Sequence, residues 1–532
     1  MPADHDSAEE IARLIESTDS APIAPVHNAE DATDQTEADT PAAPSGRRRR
    51  RKPARDLLLA VAESCDVWHD ASRTGFVTFP IKGHREHWPI LSRAFRLWLS
   101  GEYFRATSAA IGGSALDDGL RILEARAINE GPLHTPFVRI GKLGERLYLD
   151  LADDAWRAVE ISADGWRIVD DAPARFLRTP AMRPLPPPEA GGLIEELRPF
   201  LNVRGDSDFM LVVAWLVAAL RDQGPFPIGC VQGEQGAGKS IFCRLVRSLV
   251  DPSLAPIRAL PKDERDLLVS AANSWVLAFD NLSGLPSAMS DALCRLATGG
   301  GLATRANYTD RDEAIFEATR PLLLNGIPFL TDRADLAERA LTVHLRTIDE
   351  SSRRTEDDLF AAFEAARPRI LGALLDAVSA ALRHHAEVKL DRYPRLADFA
   401  KWVTAAEGGL GWEAGAFMAA YDANRAAVAE TAFESDLVAV AVRGFVTPAA
   451  FPDGWRGSAT DLLAALNARV SDGVKKARRW PISPSVMGSA LTRSAPALRS
   501  KGFTIERQHS GGTNWVIIPP AALSGDDDVV PL

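Results

Sequence analysis

The stretch GEQGAGKS, residues 233–240, decides how this chain is read. It fits the pattern G-x-x-x-x-G-K-[ST]: Gly233, Gly238, Lys239 and Ser240 hold the fixed positions, with Glu234, Gln235, Gly236 and Ala237 between them. Each part has a mechanical task. The glycines let successive backbone N–H groups turn inward around phosphate oxygens, the lysine reaches the β/γ-phosphates, and the serine hydroxyl binds Mg²⁺. Upstream, PFPIGCVQ (225–232) is short and apolar enough for a buried strand. Downstream, Ile241, Phe242, Leu245, Val246, Leu249 and Val250 fall at helical spacing. The loop is therefore expected at a helix N-terminus, where unpaired N–H groups and the helix dipole favour an anion. Gly233 to Ser240 is the expected cradle for ATP, with Mg²⁺ on Ser240.

The usual companions of such a loop come next in order. SWVLAFDNLS (274–283) gives a buried strand, Trp275 to Phe279, ending in Asp280, and a carboxylate there holds Mg²⁺ through water. ATPases of this kind usually carry an acid next, to orient the attacking water; here the residue is Asn281. An amide positions water but is no strong base, and Asp291 is an alternative source of negative charge. RPLLLNGIP (320–328) supplies a third strand, Leu322 to Leu324, closed by Asn325, which is placed to reach the γ-phosphate or the lytic water. DRADLAERALTVHL (332–345) then presents Arg333 and Arg339. Arg339 is the favoured candidate to reach a neighbouring subunit's γ-phosphate and stabilise transition-state charge; a surface cation beside Glu338 is the alternative.

Charge is distributed unevenly. The first forty residues hold eleven acids and one base, Arg13, and few aromatics, a composition that predicts disorder. Without that tail (−10) and the DDD at 526–528 (−3), the net −11 of the 532 residues becomes +2, so overall acidity does not exclude nucleic acid. Arg47 to Lys52, with Arg55, form a basic run that either grips phosphates or solvates a linker. No signal-peptide core and no long apolar run appear, so no membrane partner is expected. Cys65, Cys230, Cys243 and Cys294 form no C-x-x-C pair, which argues against zinc and disulfides and for a reducing cytoplasm.

The expected fold class is α/β: a P-loop NTPase (AAA+-like) core with an N-terminal α+β domain, a helical lid and a C-terminal winged helix. Residues 1–55 form the acidic tail and basic run. Residues 56–182 pass from helical pattern (89–111) to alternating strands in TPFVRIG, ERLYLDL, WRAVEI and GWRIV, with Trp156 and Trp166 as core candidates. RPLPPPEAGG (183–192) reads as a Pro/Gly hinge, and DFMLVVAWLVAAL (208–220) as an apolar helix entering a core over 193–350. Residues 351–430 are helical and suit a lid or collar; 521–532 form an acidic tail.

Taken in order, GEQGAGKS, WVLAFDN, LATGGGLATRANYTDRDE, LLLNGIP and DLAERAL resemble the superfamily-three branch of AAA+ ATPases. More narrowly they resemble the helicase portion of phage- and poxvirus-type primase–helicases and ATP-binding proteins of integrated elements, over about residues 193–425. The resemblance implies a ring, a homo-hexamer, whose 298–313 hairpin enters a central channel and tracks single-stranded DNA through Arg305, Tyr308 and Arg311. A structural hairpin with salt bridges to Asp310 and Asp312 is the alternative. No paired-carboxylate or zinc motif of a primase centre appears in the first 190 residues.

Residues 435–520 differ in character. ATDLLAALNARV and SPSVMGSALTRSAPALRSKG read as helices, the second with a serine cap, and then a hairpin in FTIERQHSGGTNWVIIP turns at SGGT. Eleven cations against five acids make this segment +6. The layout is that of a winged helix, expected on duplex DNA with Arg493 and Arg499 near the groove and Arg507 and His509 near phosphate; binding to a protein is the alternative. The leading expectation is an ATP-dependent DNA helicase or translocase of a phage or mobile element, acting in replication with partner proteins, in the bacterial cytoplasm near the nucleoid. A DNA-binding AAA+ switch, such as an origin-binding loader, is the second reading, favoured by Asn281. A nucleotide-bound scaffold without turnover is the third.

Overall fold

In the computed structural model the described residues are 54–520, apart from 82, 283, 301, 306–312, 317–318, 327–333, 350, 352 and 510–512. They belong to one contact unit, Ala54–Leu532. Tyr308, Arg311, Arg333, the SGGT turn and both acidic tails with the basic run up to Lys52 lie outside the described residues.

After helix α1 (Ala54–Val61), strands β1 (Asp66–His69), β2 (Gly75–Ile81) and β3 (His84–Pro89) form an antiparallel sheet. It is covered by α2 (Arg93–Thr107) and α3 (Gly113–Asn129), with Val77, Phe79, Phe95, Leu99, Leu120 and Leu123 fully enclosed. Ser92 caps α2 by accepting from the Phe95 N–H, and Ser108 closes it in the left-handed conformation. Across this sheet runs a buried polar chain. The Thr78 hydroxyl accepts the N–H of Trp68 at 3.0 Å and of Arg175 at 2.7 Å, so its own proton goes to His87 Nδ1 at 2.8 Å. His87 is thereby held neutral: burial, then the cations Arg175, Arg85 and Arg178, push its pKa down from 6.5 to about 3.

This depression fixes the sign of a pH dependence. Unfolded His87 takes a proton near its ordinary value while folded His87 does not, so stability present above about pH 6.5 is lost as pH falls toward 3, at up to about 1.4 kcal/mol per pH unit. Thermal melting from about pH 7 to about pH 5 is expected to show this loss. His87→Asn, whose amide oxygen accepts in place of Nδ1, is expected to flatten it.

A two-strand clasp of β4 (Pro136–Phe137) with β9 (Arg175–Phe176) brackets a second antiparallel sheet: β5 (Ile140–Leu143), β6 (Arg146–Asp150), β7 (Ala158–Ser162) and β8 (Gly165–Val169), in sequential order. The unit expected over 56–182 is thus two sheets, and the second shares its core with the helix at 356–384. Leu147, Leu149, Val159 and Ile161 lie in one buried cluster with Ile370, Leu374 and Val378 of that helix. Trp156 and Trp166 are half-buried rather than core. Trp156, at φ +57°, lies under the Arg178 guanidinium at 4.0 Å, and the Trp166 indole donates to Asp376 at 2.8 Å.

The Pro/Gly stretch is fastened, not hinged. Leu185 N–H donates to Leu151 O, and Glu189 N–H to Pro368 O. Its backbone touches that of the same long helix: a Cβ on Gly192 would sit 2.0 Å from Arg369 O, and one on Gly372 would sit 1.9 Å from Glu189 O. Only glycine permits that approach.

Helix α4 (Asp206–Ala219) is buried on nearly every face, as its continuous apolar run requires. Then come β10 (Ile228–Gln232), α5 (Lys239–Ser248), α6 (Glu264–Asn273), β11 (Leu277–Phe279), α7 (Ser287–Thr298), β12 (Leu302–Arg305) paired antiparallel with β13 (Glu313–Phe316), β14 (Leu322–Asn325), α8 (Ala334–Ala337) and β15 (Ala340–His344). β11, β14, β10 and β15 form a parallel sheet in that order. Its strands read as unbroken apolar runs because both faces are covered. Val231, Leu323, Leu341 and Val343 join the cluster of α4 and α5; Ile228, Cys230, Leu277, Phe279, Leu322 and Leu324 join that of α6 and α7. Helices α9 (Glu356–His384), α10 (Ala397–Ala406) and α11 (Ala416–Ser435) complete this body. None of the described helices is long and apolar enough to cross a membrane.

The C-terminal segment has its own core. It comprises α12 (Leu437–Phe445), β16 (Trp455–Ser458), α13 (Ala459–Asn467), α14 (Asp472–Lys476), α15 (Pro484–Ser500), β17 (Thr504–His509) and β18 (Thr513–Ile518), with sheet order β16-β18-β17. Ser458 and Asp461 form a reciprocal capping box on α13, and Ser483 caps α15 ahead of Pro484. α12 and β16 escaped sequence reading; β16 is four residues long and pairs with a strand about sixty residues away, so nothing local marks it.

Candidate functional site

β10 runs at the centre of the parallel sheet and delivers the glycine-rich loop to the N-terminus of α5, where Gly238 takes the left-handed conformation (φ +73°). The neighbouring strands β11 and β14 end beside it, bringing Asp280 and Asn325 to the same edge. Loops at the carboxyl ends of parallel strands are where open α/β sheets place ligands.

Three side chains from three separate stretches meet there. Ser240 Oγ donates to Asp280 Oδ2 at 2.9 Å, and Asn325 Nδ2 donates to Asp280 Oδ1 at 2.5 Å and lies 3.4 Å from Ser240 Oγ. Asn325 is 2% exposed, and its Oδ1 is buried without a partner. Lys239 Nζ folds back over the loop, donating to Gly233 O and Glu234 O, each at 2.8 Å. Glu234, Gln235 and Gly236 are exposed along the loop, and Glu234 accepts from the Thr347 hydroxyl at 3.2 Å. Ala237 is buried, and its carbonyl accepts from Asn202 at 2.7 Å, which fixes the loop to the segment before α4. One turn into α5, burial and then the Asp280 charge push the Cys243 thiol far up, so it is an inert packing group.

Beside the loop opens a cavity of about 650 Å³, lined among others by Phe200, Leu201 and Ile241 and by Arg346, Arg353 and Arg354. Arg353 and Arg354 are exposed and form no ion pair among the described residues. The sequence gives no local sign of this cavity because its lining combines residues more than a hundred positions apart that carry no motif. The residues present suit a nucleoside triphosphate with Mg²⁺: an apolar slot, a left-handed glycine loop at a helix end, a lysine, and a hydroxyl beside a carboxylate.

Arg339 is placed differently from a free surface cation. Its Nη1 donates to Asp335 O at 2.6 Å, its Nε is buried without a partner, and Glu338 pairs instead with Arg395. Asn281 is exposed, with φ +55°. Asp291 lies on α7 rather than among the three meeting side chains. For the hairpin, the described residues show Arg305 paired in register with Glu313. In the C-terminal segment Arg493 is exposed on α15, Arg499 donates to Ile505 O at 2.9 Å, and Arg507 stands over the Trp515 ring at 5.9 Å.

Residues 194–431 match the family model described as the actinomycete integrative conjugative element replication protein, and residues 438–522 match the C-terminal domain of the same family, AICE RepA. Both models describe one replication-protein family of mobile elements. The longer AICE RepA match contains every candidate residue from Gly233 to Arg339, and the shorter one contains Arg493, Arg499 and Arg507. Two solved structures, both apo forms of the NrS-1 C-terminal region, share 12% and 11% identity with the chain. Each covers 89% of this chain and 100% of its own, with TM-scores of 0.40 and 0.38. No curated protein matches the chain in sequence.

Proposed function

We propose that this replication protein is a DNA-acting ATPase: a P-loop, AAA+-like core of the superfamily-three type that hydrolyses ATP with Mg²⁺ and drives a helicase or translocase ring, a homo-hexamer. The observation that carries the reading is the convergence of Ser240, Asp280 and Asn325 beside the glycine loop. Mg²⁺ would be held by Ser240 and Asp280, and when bound it neutralises charge on the β- and γ-phosphates. Lys239 exchanges its two loop carbonyls for phosphate oxygens. The α5 N-terminus and the loop N–H groups take the remaining phosphate charge. Asn325, whose Oδ1 has no partner among the described residues, accepts a hydrogen bond from the attacking water and orients it. Arg353 and Arg354 face the same cleft and add positive charge from the stretch leading into α9. Arg339 completes a neighbouring subunit's site after leaving Asp335.

The C-terminal segment is proposed as a winged helix on duplex DNA, with α15 in the groove and β17–β18 as the wing. Lys475, Lys476, Arg478 and Arg479 project between α13 and α15, where Lys476 and Arg479 are exposed, as Arg493 is. Replacing Lys476 and Arg478 by Ala is expected to weaken duplex binding at every sequence and to cut the slope of log affinity against log salt by about 2. Fluorescence anisotropy across a salt series measures it, and an unchanged slope removes this loop from the interface. Asn281 supports the second reading, an ATP-set assembly switch, because no acid comes directly after Asp280. DNA-stimulated ATP turnover with strand displacement supports the motor; turnover without displacement supports the switch.

A further inference from the structure

We infer that Asn281 is a positioning residue whose left-handed backbone, rather than its amide, holds Asp280 in the Ser240–Asn325 cluster. The inference rests on the ATPase reading above. The Asn281 side chain is exposed and makes no hydrogen bond among the described residues, whereas its backbone N–H donates to Asp280 Oδ1 at 2.8 Å. That oxygen is the one that also receives Asn325 Nδ2. With φ at +55°, the chain reverses at Asn281 so that the next N–H, on Leu282, donates to Asn325 O at 3.1 Å, and the Leu282 side chain enters the core at 4% exposure.

The opposing loop is shaped to receive this turn. Gly326, at φ +154°, lies so close that a Cβ there would stand 2.5 Å from both the N and the O of Leu282. Residues 280–282 and 325–326 are therefore stitched together by backbone and by the Asp280 carboxylate, and the stitch depends on a residue that enters the left-handed region at low cost. Asparagine and glycine do so; β-branched residues do not. A glutamate at this position would make the same turn only at a greater penalty.

The experiment is steady-state ATP hydrolysis by the full chain across a Mg²⁺ series, comparing wild type with Asn281→Gly, Asn281→Val and Gly326→Ala. Turnover is expected to track left-handed tolerance: Asn281→Gly keeps most of kcat, while Asn281→Val loses about tenfold or more. The Val variant should also need more Mg²⁺ for half-maximal rate, because the displaced group is Asp280. Gly326→Ala, which disturbs the same turn from the other side, is expected to share the loss, and it stands in for Asn281→Val should that variant not fold. If Asn281→Gly is as impaired as Asn281→Val, the amide itself acts and the inference is overturned. Full activity in folded Gly326→Ala also overturns it. Absence of ATP turnover in wild type overturns the ATPase reading, and the inference with it.

Discussion

Lys239→Ala is expected to lower kcat for ATP by about 10²–10³ or more, with or without single-stranded DNA, while leaving the melting temperature close to that of wild type. The asymmetry comes from what the lysine touches. Among the described residues its ammonium bonds to the Gly233 and Glu234 carbonyls, and it belongs to no core cluster. Removing it frees two carbonyls that water reaches, so folding loses little. On the proposed reading, catalysis loses the cation that exchanges its loop carbonyls for phosphate oxygens and offsets the charge that develops there. Arg353 and Arg354 also line the cavity, but neither stands at the lysine position of the loop. Steady-state hydrolysis with matched thermal melts decides it. Turnover that survives the substitution in a folded protein would remove the glycine loop from the reaction.

Asp251→Ala is expected to cost about 3–5 kcal/mol of stability or to prevent folding altogether. Asp251 is 2% exposed and takes four donors: Arg139 Nε at 3.0 Å, Arg247 Nη2 at 3.5 Å, and the backbone N–H groups of Trp275 and Val276 at 3.1 and 3.0 Å. Both guanidinium groups are essentially sealed from solvent, at 0% and 1% side-chain exposure. Removing the carboxylate strands two buried cations and two buried N–H groups, which is why breaking such a cluster costs far more than the cluster itself contributes. Because Arg139 enters from the second antiparallel sheet while Trp275 leads into β11, the loss is expected to spread from that sheet to the strand that ends in Asp280. Urea unfolding of the full chain, with Asp251→Asn alongside, reads it. An unfolding midpoint unchanged in Asp251→Ala would show that the cluster holds nothing together.

The two substitutions separate what local pattern reveals from what it hides. The loop was legible because its glycines, lysine and hydroxyl recur at fixed spacing within eight residues, between an apolar strand run and an amphipathic helix. Asp280 and Asn325 were legible for a related reason. Parallel strands buried on both faces are short, apolar and closed by their first polar residue. The two C-terminal helices were legible from their residue pattern, and the second also from its serine cap.

What stayed hidden depends on distance along the chain. Asp251 looks like any acid after a helix until Arg139, 112 residues earlier, is folded onto it. The proline-rich stretch has the composition of a hinge, yet Gly192 and Gly372 let two backbones touch and turn it into a fastening. Asn281 reads as a missing catalytic acid, and only its φ angle shows a turn instead. By itself, then, the sequence determined the glycine-rich loop between strand and helix, the residues that close the strands around it and the basic C-terminal segment, since these arise from spacing, periodicity and charge within one element. Tertiary structure alone decided which side chains meet, which cations are sealed and which glycines carry a close approach. Those properties arise when segments far apart in the chain exclude water together.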